Sequence, residues 1–211
     1  NDAGIETGAP LLRSTLFVAA PGNHDTATRN LGKIPDLLAY FYYWSQPLNG
    51  PLTTAGAPNS PIIEGPDEDR AAFLTSAGAT YPRMANFSFD YGNAHWTVLD
   101  SNRYVDWSEK SLREWVAKDL SNASGAKWRF VAFHHPGFNS SVAHFHDQWM
   151  RVLSDVFEAG KVDIVFAGHV HNYQRFTRVI RDREVPYVVA GAGGYWHLHR
   201  VAKHEGKDLP Q

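Results

Sequence analysis

Short apolar runs alternate with helically spaced apolar residues through the second half of the chain. Residues 128–133 (WRFVAF) and 162–166 (VDIVF) have the length and the β-branched or aromatic content of buried strands. Residues 108–120 and 149–157 instead repeat apolar side chains every three or four positions, which is typical of amphipathic helices. The pattern therefore predicts strands and helices in alternation.

Further strand pairs flank this alternating part. Residues 85–91 and 94–99 are joined by a Gly-Asn turn and predict a hairpin. Residues 177–180 and 186–190 predict a second pair, and residues 15–20 predict an earlier strand. Together these elements predict an α/β fold, a layered β-sandwich flanked by helices.

The least regular part of the chain lies at about residues 31–83. Residues 37–44 are aromatic and predict a helix, and the part that follows is rich in proline, glycine and asparagine. We interpret it as an ordered insertion, which is either a lid or a plain surface loop. At 211 residues the chain has the length of one domain, so we expect residues 1–211 to form a single one.

Composition limits the chemistry that is open to the chain. Net charge is −2, so no basic field points to nucleic acid or to an anionic membrane. No apolar run is long enough to span a bilayer. Cysteine is absent, so any metal must be held by histidine, carboxylate, amide or tyrosine side chains.

Eleven histidines are a large stock, and several follow directly on predicted strands. Imidazole is the commonest nitrogen ligand for zinc, iron and manganese-type ions, and residues two apart in extended chain project to one side. A His-x-His pair is weak evidence by itself, because it occurs three times and also suits polar groups beside a loop. If the three strands ending near residues 20, 133 and 167 are neighbours, these side chains converge at one edge: Asn23, His24, His134, His169 and His171.

The order of these motifs resembles the calcineurin-like metallophosphoesterases. The motifs that carry the resemblance are Gly22-Asn23-His24-Asp25, Phe133-His134-His135-Pro136 and Gly168-His169-Val170-His171. The purple acid phosphatase branch is the fuller match, since Val98-Leu99-Asp100-Ser101, the continuation to Arg175 and Gly191-Ala192-Gly193-Gly194 also resemble it. The resemblance covers roughly residues 12–30 and 85–195.

This resemblance implies two divalent or trivalent ions (iron, zinc or manganese) and a phosphoester substrate. It implies that Asn23, His134 and His169 are ligands of one metal and that His171 is a ligand of the other. Hydrolysis would then proceed by attack of a metal-bound hydroxide on phosphorus. His24 would contact the phosphate or help to protonate the leaving group.

A second set of histidines lies ten and twelve residues after His134. The resemblance implies that His144 or His146 contacts the phosphate; the alternative is that both are exposed polar residues before the next helix. The histidines after residue 196 have no motif around them, and we expect them to be surface groups. The resemblance also favours a secreted or periplasmic location.

One departure from the family pattern concerns the start of the chain. The family's first motifs, an Asp-x-His and a Gly-Asp followed by Tyr or Asn, should precede Gly22, and residues 1–21 show neither. They supply the bridging carboxylate and most ligands of the metal that His171 would bind. We therefore expect a catalytic domain that lacks its N-terminal part. The alternative is a non-catalytic relative that binds a partner or a single metal.

Overall fold

The computed structural model describes residues 14–26, 30–36, 38–53, 57, 59–180, 183–193 and 196–202. Its helices are α1 Asn23–Thr26, α2 Tyr40–Tyr43, α3 Asp67–Ala77, α4 Lys110–Asn122 and α5 Ser154–Ala159. Its strands are β1 Phe87–Tyr91, β2 Ala94–Leu99, β3 Trp128–Phe133, β4 Ile164–Ala167, β5 Tyr173–Ile180 and β6 Arg183–Ala190. Short 3₁₀ segments lie at Gly78–Thr80, Arg83–Ala85, Ala123–Gly125 and Trp149–Leu153.

The six strands form one mixed sheet in the order β1-β2-β3-β4-β6-β5. The four central strands run parallel, and the edge strands β1 and β5 pair antiparallel with β2 and β6. The predicted α/β class is confirmed, with a sheet flanked by helices. Both predicted antiparallel pairs are present in this sheet.

Helices α4 and α5 cover one face of the sheet. In α4 the residues that recur every four positions, Leu112, Val116 and Leu120, are buried, as the amphipathic spacing requires. They pack with Val131 of β3 and Phe157 of α5 in one core cluster. The predicted helix at 149–157 is divided instead, because a 3₁₀ segment precedes α5.

The opposite face of the sheet is aromatic and meets the first described residues. Trp96 is at the centre of a row of rings, with Phe130 at 4.6 Å and Phe166 at 5.9 Å between centroids. Residues 14–20 lie against this face, where they help to line a cavity of about 590 Å³. The strand predicted at 15–20 is wrong: this segment pairs with no strand among the described residues, and a strand needs a hydrogen-bonded neighbour.

The irregular part of the chain has a core of its own, which includes Phe41 and Phe73. Helix α2 is shorter than the helix predicted at 37–44. Helix α3 was not predicted, because its apolar residues do not recur on one face. Its sequence signal is the acidic first turn Asp67–Asp69 directly after a proline, which suits a helix N-terminus.

Among the described residues, no helix is both long and apolar enough to cross a membrane.

Candidate metal centre

Three parallel strands end side by side, and the candidate residues follow at once. Leu99 of β2 pairs with Phe133 of β3, which pairs with Ala167 of β4. The next residues along each strand therefore lie at the same sheet edge, where α/β proteins place their ligands. The edge carries Asp100 to Asn102 after β2, His134 and His135 after β3, and Gly168 to His171 after β4.

Three side-chain atoms converge at this edge. His134 Nε2 lies 2.7 Å from Asn23 Oδ1 and 3.2 Å from His169 Nδ1. Ligands at about 2.1 Å from a tetrahedral metal are separated by roughly 3.4 Å, so a small opening of the cluster would accommodate an ion. One amide oxygen and two imidazole nitrogens form a donor set that suits zinc, iron or manganese. These residues therefore fit a metal.

Close backbone packing holds the histidine turn after β4 in place. His169 has a left-handed backbone with φ of 60°, a conformation that is uncommon outside glycine and is often found at functional sites. The Gly168 amide donates to the His134 carbonyl at 3.0 Å, which ties the turn to β3. A Cβ at Gly191 would lie 2.1 Å from the Val170 carbonyl oxygen, so only glycine permits this approach.

Asn23 is positioned from the end of β2. The Asn102 side-chain amide donates to the Gly22 carbonyl at 3.2 Å and to Asp100 Oδ1 at 2.8 Å. Tyr104 donates its hydroxyl to the other Asp100 oxygen. Burial raises the pKa of Asp100 to about 6, although these hydrogen bonds oppose the shift. The buried carboxyl therefore organises the loop that presents Asn23.

The central histidines are neutral around physiological pH. Burial, followed by the charge of His169, lowers the pKa of His134 to about 3. Burial and the charge of His134 lower the pKa of His135 to about 3. Burial also lowers the pKa of His169. A neutral imidazole keeps the nitrogen lone pair that a metal needs.

His135 belongs to the same cluster, although sequence reasoning assigned it no role. Its ring is buried and lies 4.5 Å from the His169 ring, centroid to centroid. His135 Nδ1 lies 2.9 Å from Ser101 Oγ, which also accepts a hydrogen bond from the His135 amide. One ring nitrogen each of His134, His135 and His169 lies within 4.8 Å of the others, close enough to share one ion.

The Asp147 carboxylate contacts two histidines at this edge, and sequence reasoning missed it. Its Oδ2 lies 3.0 Å from His144 Nδ1 and 3.4 Å from His169 Nε2, and its Oδ1 accepts from Arg103 at 2.8 Å. Burial alone would raise the pKa of Asp147, but the hydrogen bonds from His144, Arg103 and His169 lower it. The Arg103 guanidinium lies over the Trp149 ring at 4.1 Å.

The structure places His171 in a different environment from His169. Its ring stacks on His199 at 4.3 Å, and its Nδ1 lies 3.2 Å from the His197 carbonyl oxygen. The tail expected to be plain surface thus folds back against the site, and His199 also lies 5.1 Å from the His144 ring. The only sequence signal was the third His-x-His pair.

The remaining candidates lie farther out. His24 is exposed on α1, and its charge contributes to the lowered pKa of His134. His146 is exposed and contacts Phe145. A cavity of about 390 Å³ opens over the cluster. Its lining includes Asn23, Asn102, Arg103, His135, His144, Asp147, Trp149 and His169, but not His24 or His146.

Known proteins that are similar to this chain include phosphatases. The family model described as calcineurin-like phosphoesterase matches residues 5–173. Purple acid phosphatase 23 of Arabidopsis thaliana is 35% identical over 117 residues, which cover 51% of this chain and 25% of that protein. The phosphoenolpyruvate phosphatase of Allium cepa is 34% identical over 128 residues, which cover 51% of this chain and 26% of that protein.

The matched region spans about a quarter of the length of these curated relatives. Among solved structures, GAP50, the anchor in the inner membrane complex of Plasmodium, overlaps with a TM-score of 0.40 at 16% identity. That overlap covers 57% of this chain and 40% of GAP50.

Proposed function

This chain belongs to the calcineurin-like phosphoesterase family, and from that premise we propose that it is a metal-dependent phosphatase hydrolysing phosphate esters. The observation that carries the proposal is the convergence of Asn23 Oδ1, His134 Nε2 and His169 Nδ1. The purple acid phosphatases among its relatives support the same chemistry.

Asn23, His134 and His169 would hold the metal. A bound ion supplies Lewis acidity, which polarises a phosphoryl oxygen and lowers the pKa of water. Asn23 contributes a neutral amide oxygen, so the ligand set of this chain leaves the positive charge of the ion largely uncompensated. The lowered pKa values of His134 and His169 keep both rings neutral around physiological pH, with one unprotonated nitrogen each.

The groups around the cavity suit an anionic substrate. His144 and Arg103 line it and offer N–H donors that match phosphate oxygens. The cavity volume of about 390 Å³ fits a small phosphate monoester. His24 and His146 are exposed and lie outside the lining, so we propose that they act only on substrate atoms that project from the cavity.

A single-metal, non-catalytic protein is the second candidate. In the described part of the chain, both groups that could hold a metal contain His169, and neither contains His171. His171 therefore needs further ligands before it can bind the second ion of a dinuclear centre. A protein that binds one ion without turnover would match this observation.

Metal content measured together with turnover separates the two candidates. The chain is loaded with Zn²⁺, Mn²⁺ or Fe²⁺, the metal content is determined by elemental analysis, and hydrolysis of p-nitrophenyl phosphate is followed. We expect metal-dependent turnover that is lost in His169→Ala. His197→Ala is the matched control, because its exposed side chain can be removed without altering the carbonyl that His171 contacts.

Two outcomes oppose the phosphatase. Stoichiometric metal without turnover would support the single-metal binding protein. Turnover that survives both His169→Ala and removal of metal by a chelator would place the activity outside this cluster.

A further inference from the structure

We propose that Asp147 is a positioning residue that acts through His169: it accepts the Nε2 proton of His169 and so presents the Nδ1 lone pair to the metal. This inference rests on the proposed metal site. The carboxylate belongs to none of the motifs that the sequence singled out.

The two nitrogens of His169 face different partners. Nδ1 lies 3.2 Å from His134 Nε2, inside the cluster that would hold the ion, whereas Nε2 lies 3.4 Å from Asp147 Oδ2. A neutral imidazole carries only one ring proton, so a proton donated from Nε2 leaves Nδ1 unprotonated. Ligating histidines commonly donate their other N–H to a carboxylate, which fixes the tautomer and the ring orientation.

Asp147 is itself held firmly enough to do this. Its backbone amide donates to the His144 carbonyl at 2.9 Å, which closes a turn that His144 enters with φ of 61°. The Asn139 side chain donates to the same carbonyl at 3.1 Å. Arg103 binds Oδ1, so that Oδ2 remains directed at the two histidines. The carboxylate is thus fixed from its backbone and from both oxygens.

Direct ligation by Asp147 is the competing arrangement. Asp147, His144 and His169 each offer an atom within 4.8 Å of the others, as a metal site would require. In that case His169 would use Nε2 as its ligand atom, and its ring proton would move to Nδ1, where it would face His134 and Asn23. The position of this proton therefore distinguishes the two arrangements.

The first measurement is the affinity for Zn²⁺, determined by competition with a chelator. Asp147→Asn and Asp147→Ala are expected to weaken binding by about 10- to 100-fold, the usual effect of losing a carboxylate partner of a ligating histidine. Asp147→Glu should recover part of the loss. Asp155→Asn is the matched control, because Asp155 is an exposed aspartate that likewise pairs with an arginine, at 2.6 Å.

The second measurement needs neither metal nor activity. Nitrogen-15 NMR of the metal-free chain should show His169 protonated at Nε2, and this ring proton should exchange slowly with solvent. In Asp147→Ala the slow exchange should be lost. Zn²⁺ affinity within about threefold of wild type in both variants, or a proton on Nδ1, would overturn the proposal. A wild-type chain that binds no metal would contradict the proposed function, and the ring proton would still decide whether Asp147 orients His169.

Discussion

The hydrogen bonds of Asp119 anchor helix α4 to the hairpin β1–β2, and their removal has a large expected effect. The carboxylate accepts from Ser88 Oγ at 2.6 Å, from Thr97 Oγ1 at 2.7 Å and from His95 Nε2 at 3.1 Å. The residues that supply these three donors are themselves buried. In Asp119→Ala the two hydroxyls and the imidazole lose the acceptor that they share.

The magnitude follows from these contacts. An unsatisfied buried polar group costs about 1–3 kcal/mol, and a hydrogen bond to a charged acceptor is at the upper end of the range. Solvent that enters the space left by the side chain would satisfy part of the network. We therefore expect Asp119→Ala to lower the free energy of unfolding by about 3–5 kcal/mol, a large share of the roughly 5–15 kcal/mol typical of a domain.

Urea unfolding followed by circular dichroism measures this difference. Asp155→Ala is the control: its exposed carboxylate pairs with Arg113, so we expect a loss below about 1 kcal/mol. A loss below about 1 kcal/mol for Asp119→Ala as well would refute the reasoning, because the network would then contribute no more than a surface ion pair.

Three further predictions concern histidine charge and backbone space. Burial alone would lower the pKa of His95, but hydrogen bonds and charges of Asp119 and Asp90 raise it. The charged form of His95 therefore stabilises the fold, fully so below the ordinary pKa of about 6.5. This contribution is lost as pH rises through the raised pKa. The stability difference between wild type and His95→Gln, measured in urea, should accordingly be larger at about pH 6 than at about pH 9. The pKa of His135 is lowered to about 3, so as pH falls the unfolded chain takes up this proton before the folded chain does. The metal-free protein therefore loses stability as pH falls from about 7 towards 3, and the loss should be smaller in His135→Gln. An equal loss in the variant would contradict this prediction. Gly191→Ala should weaken Zn²⁺ binding and lower the melting temperature, since its Cβ would press on the turn that carries His169; unchanged affinity and melting temperature would contradict it.

Much of the fold could be predicted because local pattern and tertiary environment agree. Residues 128–133 form β3 with the predicted bounds, since a short apolar run between two turns suits a central strand of a parallel sheet; Val131 and Phe133 are its buried residues. The helix predicted at 108–120 corresponds to α4 (Lys110–Asn122), because its apolar face packs in the core. Residues 15–20 have strand composition too, yet a strand also needs a hydrogen-bonded neighbour, and composition cannot show whether one is present.

The candidate site was predictable only where the sequence carried a motif of the family that it resembles. Asn23, His134 and His169 could be proposed from sequence, and the structure brings them together because β3 and β4 end in register. Asp147 and Asp100 have no such signal. Asp147 reaches His169 from a loop 22 residues earlier in the chain, and Asp100 acts on Asn23 through two intervening residues, so their roles depend on contacts distant in sequence.

The position of a bound metal tests the central claim most directly. Crystals of the chain grown with Zn²⁺ can be measured at the zinc absorption edge, where anomalous scattering locates the ion. We predict a peak within about 2.0–2.2 Å of Asn23 Oδ1, His134 Nε2 and His169 Nδ1. An ion bound instead between His144 and Asp147, or no ion at millimolar Zn²⁺, would contradict the account.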